Sequence, residues 1–207
     1  MAFLDSDDVW HKQKLSVQLN QLLQAKNPSN AFLYGALHKV YANNTDKLIL
    51  LPERGKLPTE SVSDYLFAGK GLMQTSTFFL SAALAKKIAF NPQLKRHQDY
   101  DFVLRAEHIG VDFYFTKEPL CSWICLAGEE NISNKGCKLA FSIDWFMQYQ
   151  RYMTPTGRDA YLSKQMFYIA VKSKQLIGYY RFLSREFSVG KCLKILLSNI
   201  QFVVNKG

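Results

Sequence analysis

The stretch at residues 3–10 reads Phe-Leu-Asp-Ser-Asp-Asp-Val-Trp, and the interpretation of the whole chain begins there. Its apolar pair has the character of a strand end, and three carboxylates follow directly. In open α/β sheets, ligands bind outside the carboxyl ends of strands. An Asp-x-Asp pattern there can offer oxygen atoms to Mg²⁺ or Mn²⁺, which bridge to phosphates. The alternative is a solvated loop in which Asp7 or Asp8 caps the following helix, and spacing alone leaves both open.

A second acidic pair lies within residues 97–102, which read His-Gln-Asp-Tyr-Asp-Phe. Asp99 stands where a helix is predicted to begin, so one interpretation is a helix cap that also interacts favourably with the helix dipole. The other is a general base that takes a proton from a reacting hydroxyl. His97 is expected to be a structural hydrogen-bonding residue, because no second His or Cys lies at ligand spacing.

The hydrophobic pattern predicts an α/β fold that ends in helices. Leucines at helical spacing predict an amphipathic helix over residues 12–23, and two apolar runs around residues 43–44 predict a hairpin. The predicted strands cover residues 31–41, 47–51, 72–80, 112–116 and 120–126. The predicted helices cover residues 61–67, 82–88, 99–108, 138–151, 159–173, 175–187 and 189–204. The predicted division is a body at residues 1–126, a loop at 127–137 and a basic helical tail at 138–207.

The positive charge is concentrated at one end of the chain. The 207 residues carry a formal net charge of +9 and are 48% hydrophobic, which excludes a disordered chain. Residues 1–150 carry a net charge of +1 and residues 151–207 carry +8. Basic and aromatic side chains alternate in the tail, which is typical of peripheral contact with an anionic membrane. A helical bundle with outward Lys and Arg is the alternative. No nucleic acid is expected, since no recognition signature is present.

The sequence contains neither a secretory signal pattern nor an apolar stretch long enough to span a bilayer. We therefore expect a cytoplasmic protein, peripheral at the inner face of the cell membrane. The four cysteines do not form a CxxC pair and are expected to be free thiols.

The residues that carry chemistry resemble a known family. Residues 3–10, followed by Lys14, Leu15 and Gln18, resemble the metal-binding segment of family 2 glycosyltransferases of the GT-A fold. The stretches at residues 74–77, 90–102 and 118–120, with Arg105 and Gly110, are similar to the acceptor half of the same domain. Two motifs in the same order make the resemblance specific, and it covers roughly residues 2–125.

The resemblance implies a partial GT-A mixed sheet and an inverting sugar transfer from a nucleotide-diphospho-sugar donor. The acceptor would be a glycan or a lipid-linked hydroxyl in bacterial surface polysaccharide or lipopolysaccharide biosynthesis. By the same resemblance, Asp5 faces the ribose or diphosphate, Asp7 ligates a divalent cation (Mn²⁺ or Mg²⁺), and Asp99 is the catalytic base. The supporting positions are Asp8, Trp10, Asp101 and Gln98, which stands where many members carry Glu.

The family begins with a strand-helix-strand-helix unit that holds the nucleobase and ribose, and the motifs of that unit do not occur here. We therefore expect either that the gene is split or truncated or that a second chain supplies that half. The alternative is a non-catalytic remnant or an accessory membrane-associated chain.

Overall fold

The structure is a computed structural model of the 207-residue chain, and it describes residues 1–125 and 138–204. Within these residues the fold is of the α/β class, with mixed sheets first and helices at the C-terminal end, as the pattern predicts. The strands are β1 (Val9–Trp10), β2 (Ala31–Gly35), β3 (Leu37–Tyr41), β4 (Asn44–Leu51), β5 (Phe79–Leu80), β6 (Asp112–Thr116) and β7 (Cys121–Cys125). The α-helices are α1 (Lys14–Leu23), α2 (Ala82–Ile88), α3 (Gln98–His108), α4 (Leu139–Tyr149), α5 (Pro155–Ala160), α6 (Phe167–Lys172), α7 (Leu176–Glu186) and α8 (Val189–Val204).

The described strands form two mixed sheets. One has the order β1-β7-β3-β4, with β7 and β3 parallel; the other has the order β5-β2-β6, with β2 and β6 parallel. The predicted hairpin is confirmed for β3 and β4. The predicted strand at residues 31–41 is instead divided between the sheets, because the chain leaves one sheet after Gly35 and enters the other at Leu37.

The prediction of a strand over residues 72–80 is wrong for most of its length, since only β5 is extended and paired. The stretch before β5 turns instead through a short 3₁₀ helix, Thr75–Thr77. Gln74 holds this turn, because its side-chain oxygen accepts from the backbone N–H of Ser76 at 2.8 Å. A local side-chain hydrogen bond of this kind competes with strand pairing.

Helix α1 forms where the leucine spacing predicts it, but its polar side faces the protein. Lys14 and Gln18 are each 1% exposed, whereas Leu15, Leu19 and Leu23 are exposed to solvent. The buried pair is satisfied internally: Lys14 Nζ donates to Gln18 Oε1 at 2.6 Å, and Gln18 Nε2 donates to the carbonyl of Thr77 at 3.0 Å. The polar pair on the buried face of α1 therefore fixes the turn around Thr77, while Leu22 packs against the small apolar cluster that contains Ala31 and Leu33.

The C-terminal helices share one apolar core with the sheets. Phe146 and Tyr161 belong to the same buried cluster as Phe32 and Phe102. The predicted division at residues 126 and 137 remains a prediction, and the predicted loop at residues 127–137 lies outside the described residues. Among the helices described, none has the length and apolarity needed to cross a membrane.

Candidate functional site

A cleft of about 960 Å³ opens between the acidic stretch, the start of α3, the strands β3 and β7, and helix α6. Of the seven residues to which the resemblance gives a role, four line it: Asp5, Asp7, Gln98 and Asp99. Asp5 and Asp99 are 94 positions apart in the chain, so the fold brings together the two acidic motifs. The other three, Asp8, Trp10 and Asp101, do not line the cleft.

Asp5 and Asp7 form the exposed acidic wall of the cleft. The backbone N–H of Asp5 donates to Ser76 Oγ at 3.0 Å, and Gln74 Nε2 donates to Asp5 Oδ2 at 3.2 Å. Partial burial of the Asp5 carboxyl raises its pKa, and the nearby charges of Asp8 and Asp7 raise it further. The three carboxylates therefore repel one another, and a bound cation would relieve this repulsion.

Asp8 points away from the cleft and holds the acidic stretch in place. It is buried, and its Oδ2 accepts from Gln74 Nε2 at 2.5 Å and from Ser76 Oγ at 2.6 Å. Its Oδ1 accepts from the backbone N–H of Ile124 at 3.2 Å. Burial raises the pKa of Asp8, although these hydrogen bonds act in the opposite direction. The alternative of Asp8 as a cap of α1 does not occur, because Gln13 precedes that helix and makes no side-chain cap bond.

Trp10 also acts behind the cleft. Its Nε1 donates to the carbonyl of Ser76 at 2.8 Å, and Lys14 Nζ lies 4.5 Å from the centre of its ring. The backbone of the 3₁₀ turn is thus tied to Trp10, and the Ser76 side chain to Asp8, so two residues that follow Asp7 hold the acidic stretch against this turn.

Asp99 lies in the first turn of α3, where it is half-buried in the wall of the cleft. Its own Oδ1 accepts from the backbone N–H of Tyr100 at 2.8 Å. Burial raises the pKa of Asp99 to about 6, and the negative charge of Asp5 contributes in the same direction. A carboxyl whose pKa lies near neutrality, in a cleft, is suited to accept a proton. Asp99 does not cap the helix, because His97 holds that position with a φ of 62° and no side-chain bond.

Gln98 and Asp101 take structural partners on α3. Gln98 Nε2 donates to the carbonyl of Leu94 at 2.9 Å, while the rest of the residue borders the cleft. Asp101 is fully buried and accepts from Arg105 Nε at 2.8 Å and from Arg105 Nη2 at 2.6 Å. This pair ties the first turn of α3 to the next and leaves Asp99 as the carboxylate of α3 that faces the cleft.

His97 is the buried structural residue that the sequence predicts. Its Nε2 lies 3.2 Å from the Tyr161 hydroxyl, and its ring stacks on Tyr100 at 5.1 Å. Burial lowers the pKa of His97 to about 3, so the imidazole is neutral at physiological pH. Packing between Tyr100, Trp145 and Tyr161 fixes the backbone immediately before Asp99.

Another part of the cleft wall is basic and aromatic, and sequence reasoning missed most of it. Lys39 Nζ lies 4.9 Å from the ring centre of Tyr41 and 5.1 Å from that of Trp123. Lys39 and Tyr41 lie two apart on β3 and so share a face, and Trp123 is paired with Lys39 across the parallel register of β3 and β7. The alternating positions of Lys39 and Tyr41 are visible in the sequence, but the pairing of their strand with β7 is not. Lys172 of α6 lines the same wall.

The carboxylates of the acidic wall suit a divalent cation in their chemistry. Carboxylate oxygens are the ligands that Mg²⁺ and Mn²⁺ prefer, and Mg²⁺ is commonly held by one or two carboxylates together with substrate phosphates. Within residues 1–125 and 138–204, no group of three or more His, Cys, Asp and Glu side chains is placed to hold a metal ion. Asp7 and Asp5 would therefore bind such a cation together with oxygens from a ligand, whereas Asp8 is engaged elsewhere.

The chain is similar to a curated protein. It is 31% identical over 166 residues to the amylovoran biosynthesis glycosyltransferase AmsB of Erwinia amylovora. The match covers 79% of this chain and 54% of the relative, so the chain spans about half the length of the curated relative that it matches. No family model matches the chain. Over most of its own length, then, the chain that forms this acidic cleft is similar to a glycosyltransferase.

Proposed function

We propose that this chain acts in the transfer of a sugar from a nucleotide-diphospho-sugar to an acceptor hydroxyl during polysaccharide biosynthesis, by the inverting mechanism of family 2 glycosyltransferases of the GT-A fold. One observation carries the proposal: the cleft gathers Asp5, Asp7 and Asp99 from distant parts of the chain. The similarity to a glycosyltransferase named for amylovoran biosynthesis supports the reaction class.

In the proposed reaction, Asp99 takes the proton of the acceptor hydroxyl while that oxygen attacks the anomeric carbon of the donor. The new glycosidic bond forms on the face opposite the diphosphate, and the old bond breaks, so the diphosphate leaves with the electron pair. The raised pKa of Asp99 matches this role, since the carboxylate is present at neutral pH and still basic enough to accept the proton.

Asp7, with Asp5 beside it, would hold a divalent cation that supplies positive charge next to the donor diphosphate. The basic and aromatic wall formed by Lys39, Tyr41 and Trp123 faces the remaining space of the cleft. Aromatic rings pack against the apolar faces of sugars, and Lys39 complements a phosphate or carboxylate, so this wall suits a sugar acceptor that carries an anionic group.

Titration calorimetry of the full chain with a panel of nucleotide sugars, with and without Mn²⁺, tests the proposal. We expect saturable, Mn²⁺-dependent binding of one donor, at least tenfold weaker in Asp7→Asn. The matched control is Asp46→Asn, which changes an exposed aspartate on β4 away from the cleft. Asp99→Asn should retain donor binding and lose transfer.

Wild-type donor turnover in both Asp7→Asn and Asp99→Asn would contradict the proposed mechanism. The same titration bears on the two remaining expectations from the sequence, a second chain that completes the donor site and a non-catalytic accessory role. Saturable donor binding by this chain alone would count against both. No binding to any donor in the panel would instead favour them.

A further inference from the structure

Helix α8 has one apolar face against the protein and a second one exposed to solvent. On the inner face, Ile195 is buried in the shared core, and Cys192 and Phe202 pack against it. The outer face of α8 consists of exposed aliphatic side chains at helical spacing: Val189, Leu193, Leu196, Leu197, Ile200, Val203 and Val204. An apolar stripe of this kind normally faces a core, so its exposure is the feature to explain.

The exposure of this face is extensive. Val189 is 77% exposed, Leu197 63% and Val204 72%. At about 100° per residue, the seven side chains cover about a third of the helix circumference. Helix α7 lies beside it, because the side-chain amide of Asn199 on α8 lies 3.3 Å from the Tyr180 hydroxyl on α7. Ile177 of α7 is 78% exposed.

Basic side chains lie on the rest of α8 and on its neighbour. Lys191 and Lys194 project away from the outer face of α8, towards the protein, and both pair with Asp159 of α5. Arg181 and Arg185 are exposed on α7. Residues 151–207 carry 10 Lys and Arg against 2 Asp and Glu, which gives this segment of the chain a net charge of +8.

From the apolar outer face of α8 and the net charge of +8 on residues 151–207, we propose that this helix docks the protein on the surface of an anionic lipid bilayer. Amphipathic helices with basic flanks lie in the interface plane with their aliphatic side chains among the acyl chains. Anionic headgroups complement the charge of +8, with a contribution from each Lys or Arg near the surface. A second copy of the chain would instead bring together two segments that each carry a net charge of +8, which is unfavourable.

The proposed contact is peripheral. Helix α8 has 16 residues, and none of the described helices could cross a membrane. A helix that lies in the interface does not need to span the hydrocarbon core. The proposal does not depend on the proposed sugar transfer, because membrane binding requires no donor and no catalytic residue.

Vesicle flotation of the full chain tests the docking, with neutral phosphatidylcholine vesicles compared to vesicles that contain phosphatidylglycerol. We expect binding to the anionic vesicles and a loss of that binding at high salt, because screening weakens the attraction. The double variant Leu193→Gln/Leu197→Gln should lower the bound fraction at least tenfold. Its fold should persist, since both side chains are exposed, and circular dichroism checks this.

The matched control is Leu15→Gln/Leu19→Gln, which makes the same changes at the same spacing on the exposed side of α1. This control should bind vesicles as the wild type does. Wild-type binding by the α8 variant, or a loss of binding in the α1 variant alone, would overturn the proposal. So would a wild-type dimer that dissociates on the Leu193→Gln/Leu197→Gln change and does not bind vesicles, since a second copy would then be the occupant.

Discussion

At the scale of single residues, Asp99 is expected to reduce the stability of the fold that positions it. Its folded-state pKa of about 6 lies above the ordinary value of 3.8, because burial and the charge of Asp5 disfavour the carboxylate. The folded state therefore binds the proton more tightly than the unfolded state does. The contribution of the protonated Asp99 carboxyl to the free energy of unfolding is fully present below the unfolded pKa of 3.8. It is lost as the pH rises through the folded pKa of about 6.

We predict that Asp99→Asn raises the free energy of unfolding at pH 7.5 by at most about 3 kcal/mol. The gain should disappear at about pH 4, where the native carboxyl is protonated. Urea denaturation at both pH values, without divalent cations, measures the difference, with Asp46→Asn as the control. A lower free energy of unfolding for Asp99→Asn than for the wild type at pH 7.5 would show that the folded protein stabilises the Asp99 carboxylate, which would contradict the prediction.

The rate of sugar transfer should depend on the same titration. Since the proposed base acts as a carboxylate, kcat/KM should rise with pH and level off above about 6. Initial-rate measurements between pH 5 and pH 8 with a bound donor would show this. A rate that falls over this range would exclude Asp99 as the base.

Neighbouring aspartates of the acidic stretch have different tasks. Asp7 is exposed in the cleft wall, whereas Asp8 accepts hydrogen bonds from Gln74, Ser76 and Ile124. We predict that Asp8→Ala lowers the free energy of unfolding by about 2–3 kcal/mol, because it leaves buried donors without their acceptor. Asp7→Ala should change it by less than about 0.5 kcal/mol. Urea denaturation measures both changes, and an equal decrease in the free energy of unfolding for Asp7→Ala and Asp8→Ala would contradict these different roles.

At the scale of elements, helix α5 contacts the body through a glycine. Thr154 caps α5 by accepting from the backbone N–H of Gly157 at 2.9 Å, and Ser63 Oγ accepts from the backbone N–H of Thr154 at 3.1 Å. A Cβ at Gly157 would meet the Ser63 Oγ and would lie 2.6 Å from its Cβ. The helix can approach the segment around Ser63 this closely only because residue 157 has no side chain.

We predict that Gly157→Ala lowers the melting temperature, with a loss of about 1–3 kcal/mol from overpacking. Gly190→Ala is the matched control, because a Cβ there meets no atom within 4 Å and alanine is the better helix former. Calorimetry should therefore give an unchanged or higher melting temperature for Gly190→Ala. A lower melting temperature in both variants would show that the loss comes from replacing a helical glycine as such and not from the contact between residue 157 and Ser63.

At the scale of the whole molecule, aromatic packing joins the C-terminal helices to the wall of the cleft. Trp145 of α4 is 2% exposed, and its ring centre lies 4.8 Å from that of His97 and 5.1 Å from that of Tyr161. His97 immediately precedes α3, which carries Asp99. The helical part therefore supports the geometry of the candidate base as well as its own fold.

We predict that Trp145→Ala costs about 3–5 kcal/mol and that the chain unfolds in one transition. Far-ultraviolet circular dichroism follows the helices, and the fluorescence of Trp10 and Trp123 follows the sheets. Their denaturation curves should coincide. Two separated transitions would instead support the division into a body at residues 1–126 and a helical tail at residues 138–207 that the sequence predicts.

The sequence predicted much of the fold because its signals are local. Ser81 caps α2, accepting from the backbone N–H of Leu84 at 3.1 Å, and Gly110 ends the α3 segment with a φ of 77°. Hydrophobic spacing located the C-terminal helices. It could not assign the two sides of α1, because Lys14 and Gln18 are buried through hydrogen bonds to each other and to a turn some 60 residues away.

The chemical groups that this protein can offer are already visible in its sequence: an acidic stretch, a second acidic pair and a net positive charge of which +8 of +9 lies in the last 57 residues. Residue type and spacing carry that information, because carboxylates and charges keep their chemistry wherever the chain places them. Which of these groups lie together depends on the fold. It brought Asp5, Asp7 and Asp99 into one cleft, gave Asp8 and Asp101 to buried hydrogen bonds, and left the outer face of α8 exposed, because those outcomes depend on contacts between residues far apart in the chain.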